Sequence, residues 1–148
     1  MFKRILVTLD GSDFSERALQ PAFRIAEQFG AAVVLLRVLA AEPVAMAGGP
    51  GPQYLELSGL REQNELTEAD GYLRAIRAEW QSTGLSIETR VAMGAAPEMI
   101  LKVAEGAGAD LIAMTTHGRS GLDRFLYGSV AEAVLRGTQV PLLLIPVK

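Results

Sequence analysis

Apolar blocks and amphipathic blocks take turns along this chain. Residues 5–9 form a β-prone apolar run that stops at Asp10-Gly11-Ser12, the pattern of a buried strand ending in a turn. Ala18, Leu19, Ala22, Ile25, Ala26 and Phe29 recur at helical spacing. Ser12 or Ser15 offers this helix an N-cap, Gly30 a stop, and Pro21 predicts a kink. Residues 33–39 make a second apolar strand. The prolines and glycines at 43, 48–52 predict a long mobile loop over 40–58. Leu66, Ala69, Leu73, Ile76 and Trp80 step by three and four, which marks an amphipathic helix ended by Gly84, with Trp80 part of its packing. Leu85, Ile87, Thr89 and Val91 alternate with polar residues, as in a half-exposed strand at a sheet edge. Pro97 suits the first turn of a helix carrying Ile100, Val103, Ala104 and Ala107 on its buried stripe. Residues 111–114 follow as a short buried strand. Ser129 and Glu132 have capping-box spacing, so a helix starts at Ser129. The last strand covers 140–147, begun by Val140 and closed by Val147, with Pro141 and Pro146 confining it to an edge.

The resulting order, βαβαβαβαβ with no repeat and no linker, predicts one α/β domain over residues 1–148: an open parallel five-stranded sheet with helices on both faces. A chain of 148 residues, 49% of them hydrophobic, has enough apolar surface for one sizeable core. Its longest apolar runs fall far short of the roughly 20 residues that span a bilayer. The run at 5–9 is also too short for a signal-peptide core, so a cytoplasmic location with no membrane partner is expected. The absence of cysteine excludes disulfides, thiolate metal sites and cysteine nucleophiles. With a net charge of −3 and no basic stretch, nucleic acid is a poor partner.

In parallel sheets of this kind, ligands sit outside the carboxyl ends of strands where the strand order reverses. Two turns are equipped for that. Thr8-Leu9-Asp10-Gly11 closes the first strand with a carboxylate, and Thr115-Thr116-His117-Gly118-Arg119-Ser120-Gly121 closes the fourth, with Gly128-Ser129 opening the next helix. A helix N-terminus presents unpaired N–H groups and the positive dipole end, and glycine lets phosphate approach the backbone. The plainer alternatives stay open at this point: glycine after a strand is ordinary turn geometry, and Ser129 is a natural N-cap. No P-loop is present, and Gly106-Ala107-Gly108 precedes a strand, so it is a helix stop rather than a dinucleotide fingerprint. His117, the only histidine, is better suited to bracing its loop than to acting as a base. Asp10 suits either a magnesium ion or a hydrogen-bonded turn.

These segments resemble the universal stress protein family over essentially the whole chain. The likeness begins at Ile5-Leu6-Val7-Thr8-Leu9-Asp10-Gly11-Ser12, continues at Leu36-Arg37-Val38, and is most specific from Thr116-His117-Gly118-Arg119-Ser120-Gly121 through Gly128-Ser129-Val130-Ala131-Glu132. The closing Val140-Pro141-Leu142-Leu143-Leu144-Ile145-Pro146 fits as well. Gly118, nine residues, Gly128 and Ser129 match the motif of the ATP-binding branch, whose first glycine is replaced here by Thr115. The resemblance implies a Rossmann-like sheet of order 3-2-1-4-5 that binds ATP with Mg2+. Asp10 and the backbone around Val38 would face the adenine, with Thr8 and Leu9 as floor. Met114, Thr115 and Gly118 would flank the sugar and first phosphate, and Gly128, Ser129 and Val130 would receive the outer phosphates. Arg119 and Arg124 suit either phosphate contact or, as is commoner for loop arginines, a solvated position, with Arg119 the stronger phosphate candidate. The resemblance also implies a homodimer through the last strand.

Three functions fit: a regulatory ATP-binding protein whose occupied form is read by an unidentified protein partner, a slow ATPase or phosphoryl-transfer enzyme, and a nucleotide-free dimerisation module, which Thr115 keeps in play. No catalytic residue is assigned, because the sequence shows no catalytic lysine motif, no metal-ligand cluster and no base placed for a γ-phosphate.

Overall fold

The computed structural model describes residues 1–41, 52–116 and 128–147. Five parallel strands form one sheet in the order β3-β2-β1-β4-β5: β1 (Arg4–Leu9), β2 (Ala32–Leu39), β3 (Ile87–Met93), β4 (Leu111–Thr115) and β5 (Leu142–Ile145). The helices are α1 (Asp13–Glu16), α2 (Leu19–Phe29), α3 (Pro52–Trp80), α4 (Ala96–Ala107) and α5 (Ser129–Gly137).

The strands alternate their side chains between two cores, which is why the fully buried stretches of the central strands, residues 5–7, 33–36 and 111–114, are apolar. Ile5, Val7, Val33, Leu35 and Ala113 pack with Ala22 and Phe23 of α2 and Leu73 and Ile76 of α3. Leu6, Val34, Leu36 and Ile112 point the other way, onto Ile100 and Ala104 of α4 and Ala131 and Val134 of α5. Complete burial of side chains such as Leu35, Leu36 and Ile112 stabilises the fold by about 1.5–3 kcal/mol each. Trp80 stacks on Phe23 with ring centroids 4.3 Å apart, which joins α3 to α2.

Four expectations are corrected. The first helical stretch is divided: α1 and α2 are separated at Arg17 and Ala18, and Pro21 sits in the first turn of α2 rather than kinking it. A proline ring would clash with the carbonyl four residues back, at Arg17, where the two helices part. The loop expected over 40–58 yields from Pro52 onward to α3, whose 29 residues begin on a proline, a residue suited to a helix start because it has no N–H to leave unpaired; residues 42–51 lie outside the described residues. At α5 the N-cap is Gly128, and Ser129 is the first helical residue. The expected capping box is therefore absent, and Glu132 pairs with Arg136 at 2.6 Å. The last strand is shorter than 140–147, because Pro141 and Pro146 bracket Leu142–Ile145 and neither can donate to the ladder. Gly108 caps α4 at φ 66°, as the helix-stop reading requires.

Candidate functional site

The chain leaves β1 towards α1 and α2 on one face and leaves β4 towards α5 on the other, so the sheet opens between the carboxyl ends of its two central strands. The paired register of β1 and β4 runs from Ile5–Leu111 to Val7–Ala113. Thr8, Leu9, Met114 and Thr115 extend beyond it. They border a cavity of about 280 Å3.

One end of that cavity is apolar. Leu36 and Val38 of β2, Ile100 of α4 and Met114 of β4 supply it, together with Leu9 and Ala96. The other end is polar, with Asp10, Ser15, Thr115, Thr116, Gly128 and Ser129. Ser15, Thr115 and Thr116 are the buried polar side chains among the described residues, at 3%, 7% and 5% exposure, and all three line this one cavity. Buried hydroxyls need partners. Ser15 Oγ donates to the Ser12 carbonyl at 2.9 Å, and Thr116 Oγ1 accepts from the Val147 amide at 3.4 Å.

The Asp10 carboxylate is organised by the turn that follows it. Its Oδ1 accepts from the Ser12 amide at 2.9 Å and the Ser12 hydroxyl at 2.5 Å, while its own amide donates to Ser15 Oγ at 3.2 Å. Ser12 then caps α1 by accepting from the Ser15 amide. Of the two roles open to Asp10, the hydrogen-bonded turn is present.

Across the cavity, α5 begins on Gly128 at φ −61° and ψ 157°, extended backbone with no side chain to cover the helix end. The Gly128 amide donates to the Thr116 carbonyl, which ties the start of α5 to the end of β4. The Glu132 amide makes the first intrahelical bond, to the Gly128 carbonyl at 2.9 Å. Ser129, Val130 and Ala131 thus occupy the turn whose N–H groups have no intrahelical acceptor, and all three line the cavity.

The structure therefore brings together Thr8, Leu9, Asp10, Val38, Met114, Thr115, Gly128, Ser129 and Val130. Gly118, Arg119 and Arg124, like His117, lie outside the described residues. Ser15, Leu36, Ala96, Ile100, Thr116 and Ala131 line the same cavity and were not singled out as site residues. Leu36 and Ile100 belong to the core, at 0% and 3% exposure, and also form part of the cavity wall. Ser15 carried a usable signal: three residues after Ser12, it can reach back to the turn that holds Asp10.

A second cavity of about 740 Å3 adjoins the first, shares Asp10 and Val38 with it, and has Glu65 and Glu68 of α3 on its wall. Despite its larger volume, and although Arg37 also lines it, it is the weaker place for phosphates, since Asp10, Glu65 and Glu68 oppose an anion and its lining holds no first-turn residue of a described helix.

The family model for the universal stress protein family matches residues 1–146. The chain belongs to the universal stress protein family. Universal stress protein MJ0531 of Methanocaldococcus jannaschii is 34% identical over 145 residues, covering 98% of this chain and 82% of that protein. A universal stress protein of Thermus aquaticus is 36% identical over 149 residues, covering 98% and 99%. The solved structure of MJ0577 superposes with a TM-score of 0.77 at 29% identity, covering 100% of this chain and 98% of the other. A universal stress protein solved in complex with cAMP has the same fold, with a TM-score of 0.71 at 24% identity over 99% of this chain and 98% of that one.

Proposed function

We propose that this universal stress protein binds ATP, with Mg2+ carried on the phosphates, and acts as a regulatory protein with little or no hydrolysis. The observation that carries the reading is the gathering of the buried polar side chains around one cavity, apolar at one end and open to a helix N-terminus at the other. The apolar end suits a purine base: Val38, Ile100 and Met114 offer it contact surface, with Asp10 at its edge. The polar end suits phosphates, because the first turn of α5 supplies N–H groups and the positive dipole end where Gly128 leaves the backbone uncovered. Mg2+ commonly rests on substrate phosphates and its own waters with few protein ligands, which fits a site whose described residues hold no cluster of carboxylates. The family resemblance of the Gly118 and Gly128-Ser129 spacing adds the choice of ATP.

The bound nucleotide would alter a surface read by a protein partner, in the cytoplasm, from a single domain that pairs with a second copy through its last strand. Mass analysis of the ligand released from purified protein separates the possible roles. Intact ATP supports the regulatory reading, ADP with measurable turnover points to an enzyme, and an empty protein with no affinity for added nucleotide refutes both.

A further inference from the structure

Arg37 lies on β2 between two residues that line the nucleotide cavity, Leu36 and Val38, but it faces the opposite side of the sheet, the side of Val33 and Leu35 and of α3. Among the described residues its guanidinium has no ion-pair partner. It lies against the backbone of Gly11, so closely that a Cβ at that position would fall on Nη1. Its Cζ is 5.7 Å from the centre of the Tyr72 ring on α3. Its Nε is buried without a hydrogen-bond partner. An orphaned guanidinium nitrogen is uncommon in a folded protein and calls for a reason.

Gly11 supplies one. At φ 85° it holds the left-handed turn between Asp10 and Ser12, and glycine is the residue for that conformation because it has no Cβ. Here the missing Cβ also makes the seat for the guanidinium. Tyr72 completes the assembly, donating from its phenol to Glu16 Oε1 at 2.8 Å, at the far end of α1. The segment from Asp10 to Glu16 is thus held to α3 at both ends, by Arg37 at Gly11 and by Tyr72 at Glu16.

We propose that Arg37 is a positioning residue for nucleotide binding: wedged between Gly11 and Tyr72, its guanidinium holds the Asp10-Gly11-Ser12 turn in its binding conformation and couples that turn to α3. The proposal rests on the nucleotide reading for its ligand but not for the tether itself. Arg37 is not in the lining of the nucleotide cavity but in that of the adjoining one, with Asp10, Gly11 and Tyr72, so its effect on affinity runs through the turn. The coupling is reciprocal, so occupancy of the cavity steadies α3 around Tyr72.

The test measures two things on Arg37→Met, which keeps an apolar stem and removes the guanidinium, and on Arg37→Lys, which keeps the charge. Calorimetry gives the ATP affinity, and amide hydrogen exchange of the ligand-free proteins reports the tether. Arg37→Met is expected to bind ATP about tenfold more weakly, a size typical of residues that act through others. It should also exchange faster at residues 11–16 and around Tyr72, with α4 unchanged, and Arg37→Lys should recover part of both. Wild-type affinity and exchange in Arg37→Met would overturn the proposal. Weaker binding with unchanged exchange would overturn it too, since Arg37 would then act on the ligand directly. Faster exchange at both segments in a protein whose wild type binds no nucleotide would keep the tether and refute the nucleotide reading. If Arg37→Met does not fold, the same two readouts on Arg37→Lys decide: no change in either refutes the proposal.

Discussion

The Tyr72 phenol on α3 donates a 2.8 Å hydrogen bond to the Glu16 carboxylate on α1, across 56 residues of sequence. Burial pushes the phenol pKa well above its ordinary value of 10.0, and the hydrogen bond and negative charge of Glu16 push it the same way.

That shift fixes the sign of a pH effect. The folded protein holds the Tyr72 proton more tightly than the unfolded chain, so the resulting stability is fully present below pH 10 and is lost as pH rises above it. Chemical denaturation of wild type and Tyr72→Phe across pH 8 to 11.5 isolates the effect, because other alkaline titrations are common to both. Their stability difference should be constant below about pH 9.5 and shrink above it. A difference that stays constant through pH 11.5 would contradict the assignment. At neutral pH the lost hydrogen bond should cost about 1 kcal/mol.

By the family resemblance Thr115 stands where the ATP-binding motif has its first glycine, and it is buried and lines the cavity. Replacing it with glycine removes a Cβ from the space where the proposed nucleotide would place its sugar and first phosphate, and it also weakens β4, by about 1 kcal/mol. Thr115→Gly should therefore bind ATP several-fold more tightly while melting at a lower temperature, as calorimetry and thermal denaturation would show. Weaker binding would mean that the threonine contributes a contact instead of crowding the ligand.

The edge strand Leu142–Ile145 is only half-buried on both faces. Leu143 and Ile145 pack against the α2 and α3 core, and Leu142 and Leu144 against the α4 and α5 core. An apolar strand in that state calls for a cover, and a two-fold axis provides one by bringing the strand against its copy. Light scattering should give a mass near twice 15.8 kDa for the wild type and a lower one for Leu144→Lys. Circular dichroism checks that the variant still folds. A wild-type mass of one chain at micromolar concentration would refute the dimer.

How far the sequence could be read depended on the physics at each element. The central strands were legible because burial on both faces leaves apolar runs at residues 5–7, 33–36 and 111–114. The cavity's strand ends were legible for a related reason: a carboxylate at Asp10 and a threonine at Thr115 interrupt those runs where the sheet stops. The first half of α3 was not. Its described residues, such as Leu57 and Leu60, are exposed at 66% and 57% and follow no buried stripe, so helical periodicity had nothing to register, and the glycines and prolines before it suggested a loop. The N-cap of α5 was displaced by one residue because glycine leaves no side-chain signature, whereas the following serine does. Arg37 was legible only as part of a family-like segment. Its relation to Gly11 and Tyr72 depends on which face of β2 carries it and on α3 crossing above, and neither is a local property of the chain.

The central claim is that the first turn of α5 receives phosphate. Gly128 permits a clean test, since its φ of −61° suits any residue, so Gly128→Val should keep the fold and place a side chain where the phosphates would lie. The decisive measurement is a calorimetric titration of wild type and Gly128→Val with Mg-ATP, after circular dichroism has shown both to be folded. The account predicts saturable one-site binding to the wild type and a loss of at least tenfold in the variant, about 1.4 kcal/mol. No heat of binding to the wild type at millimolar ATP, or equal affinity in a folded Gly128→Val, would contradict it.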